Sequence, residues 1–231
     1  MPPNTDAAFL REVDEELRRD EMAKAARRYG VAAVAVVVLA LVGFAGWLLW
    51  QSHAQNVAAD EGAALSQAYD DINAAKPAAA QTALAPLAQS SVEGYRALAL
   101  MSQADMLLAK QDVAGAAAKF GAVASDTSIG QPLRDLALIR QTTAEFDTIK
   151  PDVVIARLRG IAVKGNPWFG SAGELVAISY LRTGRRDLAG KIYGQIAQDP
   201  ATPESMKQRA VQMAGILGVD AVSDAKDQKS Q

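Results

Sequence analysis

The stretch Tyr180-Leu-Arg-Thr-Gly184-Arg-Arg-Asp-Leu-Ala189-Gly-Lys-Ile-Tyr193 decides the fold of this chain. Tyr180 closes one apolar-periodic segment, Gly184 marks a tight turn, and Ala189 and Tyr193 stand four residues apart on one face of the next segment. Ala189 is small enough to sit where two helices cross. Tyr193 is large enough to fill the gap to a third helix, and Asp199-Pro200 ends the second one.

A weaker copy runs Leu107-Leu-Ala-Lys-Gln-Asp112-Val-Ala-Gly-Ala116-Ala-Ala-Lys-Phe120. Ala116 and Ala189 lie 73 residues apart, close to two periods of roughly 34 residues with short insertions. Ala-x3-aromatic after a tight turn, at this period, is the pattern of a tetratricopeptide repeat. A degenerate unit between the copies places its second helix near Val153 to Ile161. The repeat's Trp and Leu-Gly positions are missing. The competing reading is an irregular helical bundle with coincidental spacing.

Outside these copies the chain is rich in alanine, poor in aromatics (6%) and free of cysteine. Alanine is the best helix former and lets helices approach closely, so the fold class is all-α. Helices are expected near 79–89, 92–110, 112–124, 130–147, 151–163, 171–184, 186–198 and 202–217, after helical sequence that ends at Pro77. Pro86 is expected to kink or shorten its helix. Trp168 and Phe169, after Pro167, read as a packed loop anchor or, if exposed, as binding contacts.

Val31 to Trp50 contains no charged residue. Twenty residues of helix reach roughly 30 Å, the thickness of a bilayer's hydrocarbon core. Arg11, Arg18, Arg19, Lys24, Arg27 and Arg28 precede the run, and the next basic residue is Lys76. The positive-inside rule therefore keeps the N-terminus cytoplasmic, with Arg27 and Arg28 at the entry interface and Trp47 and Trp50 at the exit. The rival is a signal peptide cleaved near Ser52-His53-Ala54, but the apolar run exceeds the usual signal core and its charged preface is long. Before the run, Asp14/Arg18, Glu15/Arg19 and Asp20/Lys24 are i,i+4 pairs on a charged helix that bears Leu10, Val13 and Leu17. The expected organisation is a charged helix over 1–28, a transmembrane helix over 29–52, a repeat domain over 53–218 and a disordered polar tail over 219–231.

Little chemistry is on offer. The one histidine, His53, has no cysteine or second histidine to join it in a metal site or a nucleophile–base pair. No phosphate-cradling glycine loop occurs. Six of the 24 basic and seven of the 26 acidic residues precede residue 51, so the rest is nearly neutral and carries no field for nucleic acid. No catalytic residue, cofactor or metal is expected. Stacked helix pairs instead create a surface for peptides or partner helices. Candidate contacts are Arg182 and Arg186 beside one repeat turn, with Trp168; Ala116, Phe120, Tyr180, Gly184, Ala189 and Tyr193 are the candidate repeat-packing positions.

The layout resembles the YfgM-type ancillary subunits of the bacterial SecYEG translocon. The local matches are Arg28-Tyr29-Gly30 entering the span, Gly46-Trp47-x-x-Trp50-x-Ser52-His53 leaving it, Ala124-Ser-Asp-Thr-Ser128, and Asp147-Thr-Ile-Lys150. The chain departs from that pattern in its alanine content, its Asn166-Pro167-Trp168-Phe169 loop and its polar tail. The resemblance implies a single-pass protein of the bacterial inner membrane with a periplasmic tetratricopeptide-like domain. Its implied partners are translocon subunits, a membrane-anchored periplasmic chaperone and exported client proteins. A tetratricopeptide-type coordinator of envelope assembly or cell division is the second class, and a membrane-anchored enzyme the third.

Overall fold

A computed structural model describes residues 5–221, with only some of the side chains before residue 55. Among the described residues the chain is all-helical. Its helices are α1 (Thr5–Asn73), α2 (Pro77–Leu87), α3 (Glu93–Ala109), α4 (Val113–Ser125), α5 (Gln131–Ala144), α6 (Pro151–Leu158), α7 (Phe169–Arg182), α8 (Arg186–Gln198) and α9 (Glu204–Ile216). Two compact units divide it, Met1–Ala59 and Asp60–Gln231.

The first unit belongs to α1. One helix among the described residues is long and apolar enough to cross a membrane, and its most apolar 18-residue window has a mean hydropathy of 2.6 with none of it buried. Leu39, Leu49 and Trp50 are each at least 70% exposed. In water such a surface loses roughly 25 cal/mol for every Å² left uncovered. Arg18, Arg19 and Lys24 are exposed, whereas Asp14, Glu15 and Asp20 of the expected charge pairs, and Leu10, Val13 and Leu17, fall among side chains outside those described.

The second unit is a stack of helix pairs following the end of α1. Its period is visible in the backbone. Ala75, Gln111, Gly184 and Gly218 all have positive φ, at 56°, 62°, 75° and 80°. After each one the next backbone N–H closes the helix end in the same way: Lys76 to Asp71 O, Asp112 to Leu107 O, Arg185 to Tyr180 O and Val219 to Ala214 O, at 2.8 to 2.9 Å. This is the Schellman closure, which satisfies carbonyls that the last turn leaves without partners. Gln111 follows Ala75 by 36 residues, Gly184 follows Gln111 by 73, and Gly218 follows Gly184 by 34. The α5–α6 joint breaks the rule. Lys150 precedes Pro151 and is extended (ψ 143°), as a pre-proline residue prefers, and the amides of Thr148 and Ile149 both donate to Glu145 O.

Several helix ends differ from expectation. Pro77 opens α2 instead of only ending the helix before it, because the first helical position needs no N–H donor. Pro86 sits in the last turn of α2, which stops at Leu87. α6 ends at Leu158 rather than near 163: Gly160 weakens the helix, and the chain turns so that Ile161, 5% exposed, packs with Val154, Leu158, Ala172 and Val176. Val219 and Ala221, expected to open the tail, are packed. Val219 packs against α8, and Ala221 is 5% exposed in the same core cluster. Residues 222–231, the rest of that expected tail, lie outside the described residues.

The core is a series of small layers, as a repeat array requires. One layer gathers Leu65, Ala68, Leu84 and Ala99. The next holds Met101, Ala116, Phe120 and Ala137, and the last holds Phe169, Ala189, Tyr193 and Ala214. The first helices of successive pairs also touch, α3 against α5 and α5 against α7.

Candidate protein-interaction surface

The second helix of each well-formed pair contributes an alanine and an aromatic to the packing. Ala116 and Phe120 on α4 are fully buried; on α8, Ala189 is fully buried and Tyr193 is 3% exposed. Tyr180 is half-buried, packs with the layers on either side of it, and lies under the guanidinium of Arg185, 4.9 Å from the ring centre. Gly184 supplies the positive-φ turn, where a side chain would cost about 1 kcal/mol.

Ion pairs tie these helix pairs to the next. Arg140 on α5 stands 5.2 Å over the Phe120 ring and forms an ion pair with Asp105 on α3. Arg209 on α9 pairs with Glu174 on α7 at 3.2 Å. Both pairs span 35 residues, so each joins the first helix of one unit to that of the next. Burial pushes the Tyr193 hydroxyl above its ordinary pKa, the charge of Glu174 adds to this, and Arg209 opposes it. Burial likewise raises Asp105, against the pull of Arg140. No motif singles these acids and arginines out. Their signal in sequence is the 35-residue separation itself, visible only once the repeat phase is known.

The candidate partner contacts have varied surroundings. Arg182 donates to Phe146 O at 2.8 Å and stacks 5.2 Å over the Phe146 ring. Trp168 Nε1 donates to Pro132 O at 2.9 Å, and its backbone N–H donates to Asn166 Oδ1. Both long-range bonds span 36 residues and tie one unit to the next. Arg185, which the sequence does not separate from its neighbours, pairs with Asp152. Arg186 is exposed at the start of α8. In the first unit Arg27 and Arg28 are exposed, as are Trp47 at 51% and Trp50 at 71%. The Phe44 and Trp47 rings lie 5.9 Å apart.

A shallow groove lies between the end of α1 and α3. One hollow of about 340 Å³ is lined by Ile72, Ala75, Pro77, Met106, Ala109 and Lys110. A second, of about 260 Å³, shares Ile72, Met106 and Ala109 and adds Tyr69, Ser102 and Asp105. Tyr69 and Ile72 are 39% and 37% exposed. Such a surface can bind an apolar side chain flanked by polar groups. Among the described residues no cluster of His, Asp and Glu is placed to hold a metal.

Residues 26–214 match the family described as tetratricopeptide repeat-like domain. No curated protein and no solved structure matches the chain.

Proposed function

The chain belongs to the tetratricopeptide repeat-like domain family, and from that premise we propose that it is a membrane-anchored scaffold for protein–protein contacts at the bacterial inner membrane. Repeat domains of this kind bind protein partners and are typically not enzymes. The observation that carries the anchoring is the uncovered apolar stretch of α1. The family match begins at residue 26, ahead of that stretch. Six basic residues precede it and the next one after it is Lys76, which supports a cytoplasmic N-terminus and a periplasmic repeat domain over residues 53–218.

Within this reading the chain serves protein export as an ancillary translocon subunit, bringing a periplasmic chaperone to emerging clients. The short motifs at the span's entry and exit support the assignment through their resemblance to YfgM-type subunits. Affinity purification in mild detergent tests it. Translocon subunits should co-purify with the full chain. Their absence alongside enrichment of division or envelope-assembly complexes, with a mid-cell ring in place of an even membrane distribution, would transfer the protein to the coordinator class.

A further inference from the structure

Charge is segregated along the start of α1. Residues 1–21 contain seven acidic and three basic residues, whereas residues 22–50 contain three basic residues and no acidic one. Those three are Lys24, Arg27 and Arg28, and Val31 opens the uncharged run three residues after Arg28. Lys24 has a partner within the chain, and Asp20 stands at the i−4 spacing of a charge pair with it. The arginines differ. Their neighbours three and four residues away are Ala23, Lys24, Ala25, Gly30, Val31 and Ala32, so no carboxylate stands one helical turn from either. The nearest acid in sequence, Glu21, is six residues before Arg27, about 9 Å along the axis and so about a Debye length away in physiological salt. The next acid after the run is Asp60. Arg27 and Arg28 are exposed, and neither forms an ion pair among the described residues. The Arg28 guanidinium stands 5.8 Å from the centre of the Tyr29 ring, itself exposed. A tyrosine beside an apolar span suits the headgroup level of a bilayer.

We propose that Arg27 and Arg28 form a collar that binds the headgroup phosphate of an anionic phospholipid where α1 enters the membrane. The proposal deepens the membrane-anchored reading and rests on it, because the apolar run sets the depth of the collar. A guanidinium presents paired donors that match two oxygens of one phosphate. Charge decides the lipid class: the choline of a zwitterionic headgroup offsets its own phosphate, whereas an anionic headgroup leaves a net charge for the arginines to neutralise. Position decides between a lipid and an acidic protein. The arginines abut the apolar run, at a depth where headgroups are the neighbours. The same anionic surface repels the acidic stretch before residue 22, so the order of charge along the helix favours one collar at the interface over a helix lying flat on it.

The test is native mass spectrometry of the full chain in a nonionic detergent. It is offered phosphatidylglycerol and phosphatidylcholine with the same acyl chains. Phosphatidylglycerol should be retained in preference. The double variant Arg27→Gln/Arg28→Gln should lower its retention about tenfold or more, since each charge near an anionic surface is worth about fivefold, and should leave phosphatidylcholine unchanged. Arg27→Lys/Arg28→Lys should keep part of the preference, because the charges stay while the paired donors go. Glutamine and lysine are helix formers close to arginine, and circular dichroism checks that helix content is kept. The lipid comparison on the wild type keeps the test decisive if a variant misfolds. Equal retention of the two lipids would overturn the proposal. So would phosphatidylglycerol retention that the glutamine variant leaves intact, which would assign the arginines to an acidic protein surface. Displacement of the lipid by an equal concentration of inorganic phosphate would also overturn it, because the collar would then read a small anion. Carbonate washing of membranes separates the two readings. Release of the chain would overturn the anchor and the collar with it, whereas a chain that stays in the membrane without a lipid preference would sink the collar alone.

Discussion

Arg140 reaches from α5 to the carboxylate of Asp105 on α3 while its guanidinium covers the Phe120 ring at 5.2 Å. Arg209 makes the corresponding reach to Glu174 across the same 35-residue interval. The pair formed by Arg140 is about four-tenths exposed at both ends, so its Coulomb energy is modest. Its two members should nevertheless respond differently. Arg140→Ala uncovers Phe120 and strands a partly buried carboxylate, and should cost about 1–2 kcal/mol in urea unfolding of the full chain in detergent. Asp105→Asn keeps the shape and relieves the burial, so it should cost clearly less. Equal losses would mean that the ion pair alone matters.

The same site has a pH signature. Burial outweighs Arg140 and holds the folded pKa of Asp105 above its ordinary value of 3.8. The folded chain therefore binds the Asp105 proton more tightly than the unfolded chain does. Stability from this group is fully present below pH 3.8 and declines as pH rises through the raised folded value. Asp126 runs the other way: hydrogen bonds from Ser128 and then Arg96 hold its carboxyl low, so its contribution is lost as pH falls through that low value. Subtracting the stability profile of Asp105→Asn from that of the wild type isolates the first slope. A difference that grows with pH in favour of the wild type would reverse the sign argued here.

The turns give a test independent of charge. Ala75 and Gln111 adopt positive φ without being glycine, which costs about 1 kcal/mol each. Ala75→Gly and Gln111→Gly should each stabilise the second unit by about 0.5–1 kcal/mol, and Gly184→Ala should destabilise it by a similar amount. Thermal unfolding followed by circular dichroism reads all three. Stabilisation by Gly184→Ala would contradict the equivalence of these turns.

Tyr180 to Tyr193 announced its own helix pair, because Gly184 fills the turn and the alanine and aromatic are four apart. The corresponding turns at Ala75 and Gln111 carry no glycine; the Ala116–Phe120 spacing placed the Gln111 turn in the period, whereas the equivalence of the Ala75 turn is visible only in the backbone dihedrals. Proline and glycine located most joints to within a few residues. They failed at α6, where burial of Ile161 turned the chain before the apolar pattern ended. Of the candidate surface, Arg182 and Trp168 stood out by residue type, yet both bond within the protein to partners 36 residues away. The open groove at Ile72 and Met106 lacked any local motif, since its floor is assembled from helices one repeat apart.

The packed start of the C-terminal segment depends on two missing side chains. A Cβ at Gly190 would lie 2.9 Å from Val219 Cγ2 and 3.2 Å from Leu217 Cβ, and one at Gly194 would lie 3.1 Å from Val219 Cγ1. These glycines, one helical turn apart on α8, form the seat for Val219. An added methyl must displace it, although alanine is intrinsically better than glycine in a helix by about 1 kcal/mol. The two effects oppose each other, and overpacking of about 1–3 kcal/mol should win at Gly190. Gly190→Ala should therefore destabilise the second unit and speed amide exchange at 219–221. Adding Val219→Ala should recover most of the stability by removing the clash. Gly215→Ala, which meets nothing within 4 Å, is the control and should be neutral or stabilising. If Gly190→Ala stabilises the chain as Gly215→Ala does, Val219 is not seated on α8 in solution and the repeat array ends with α9.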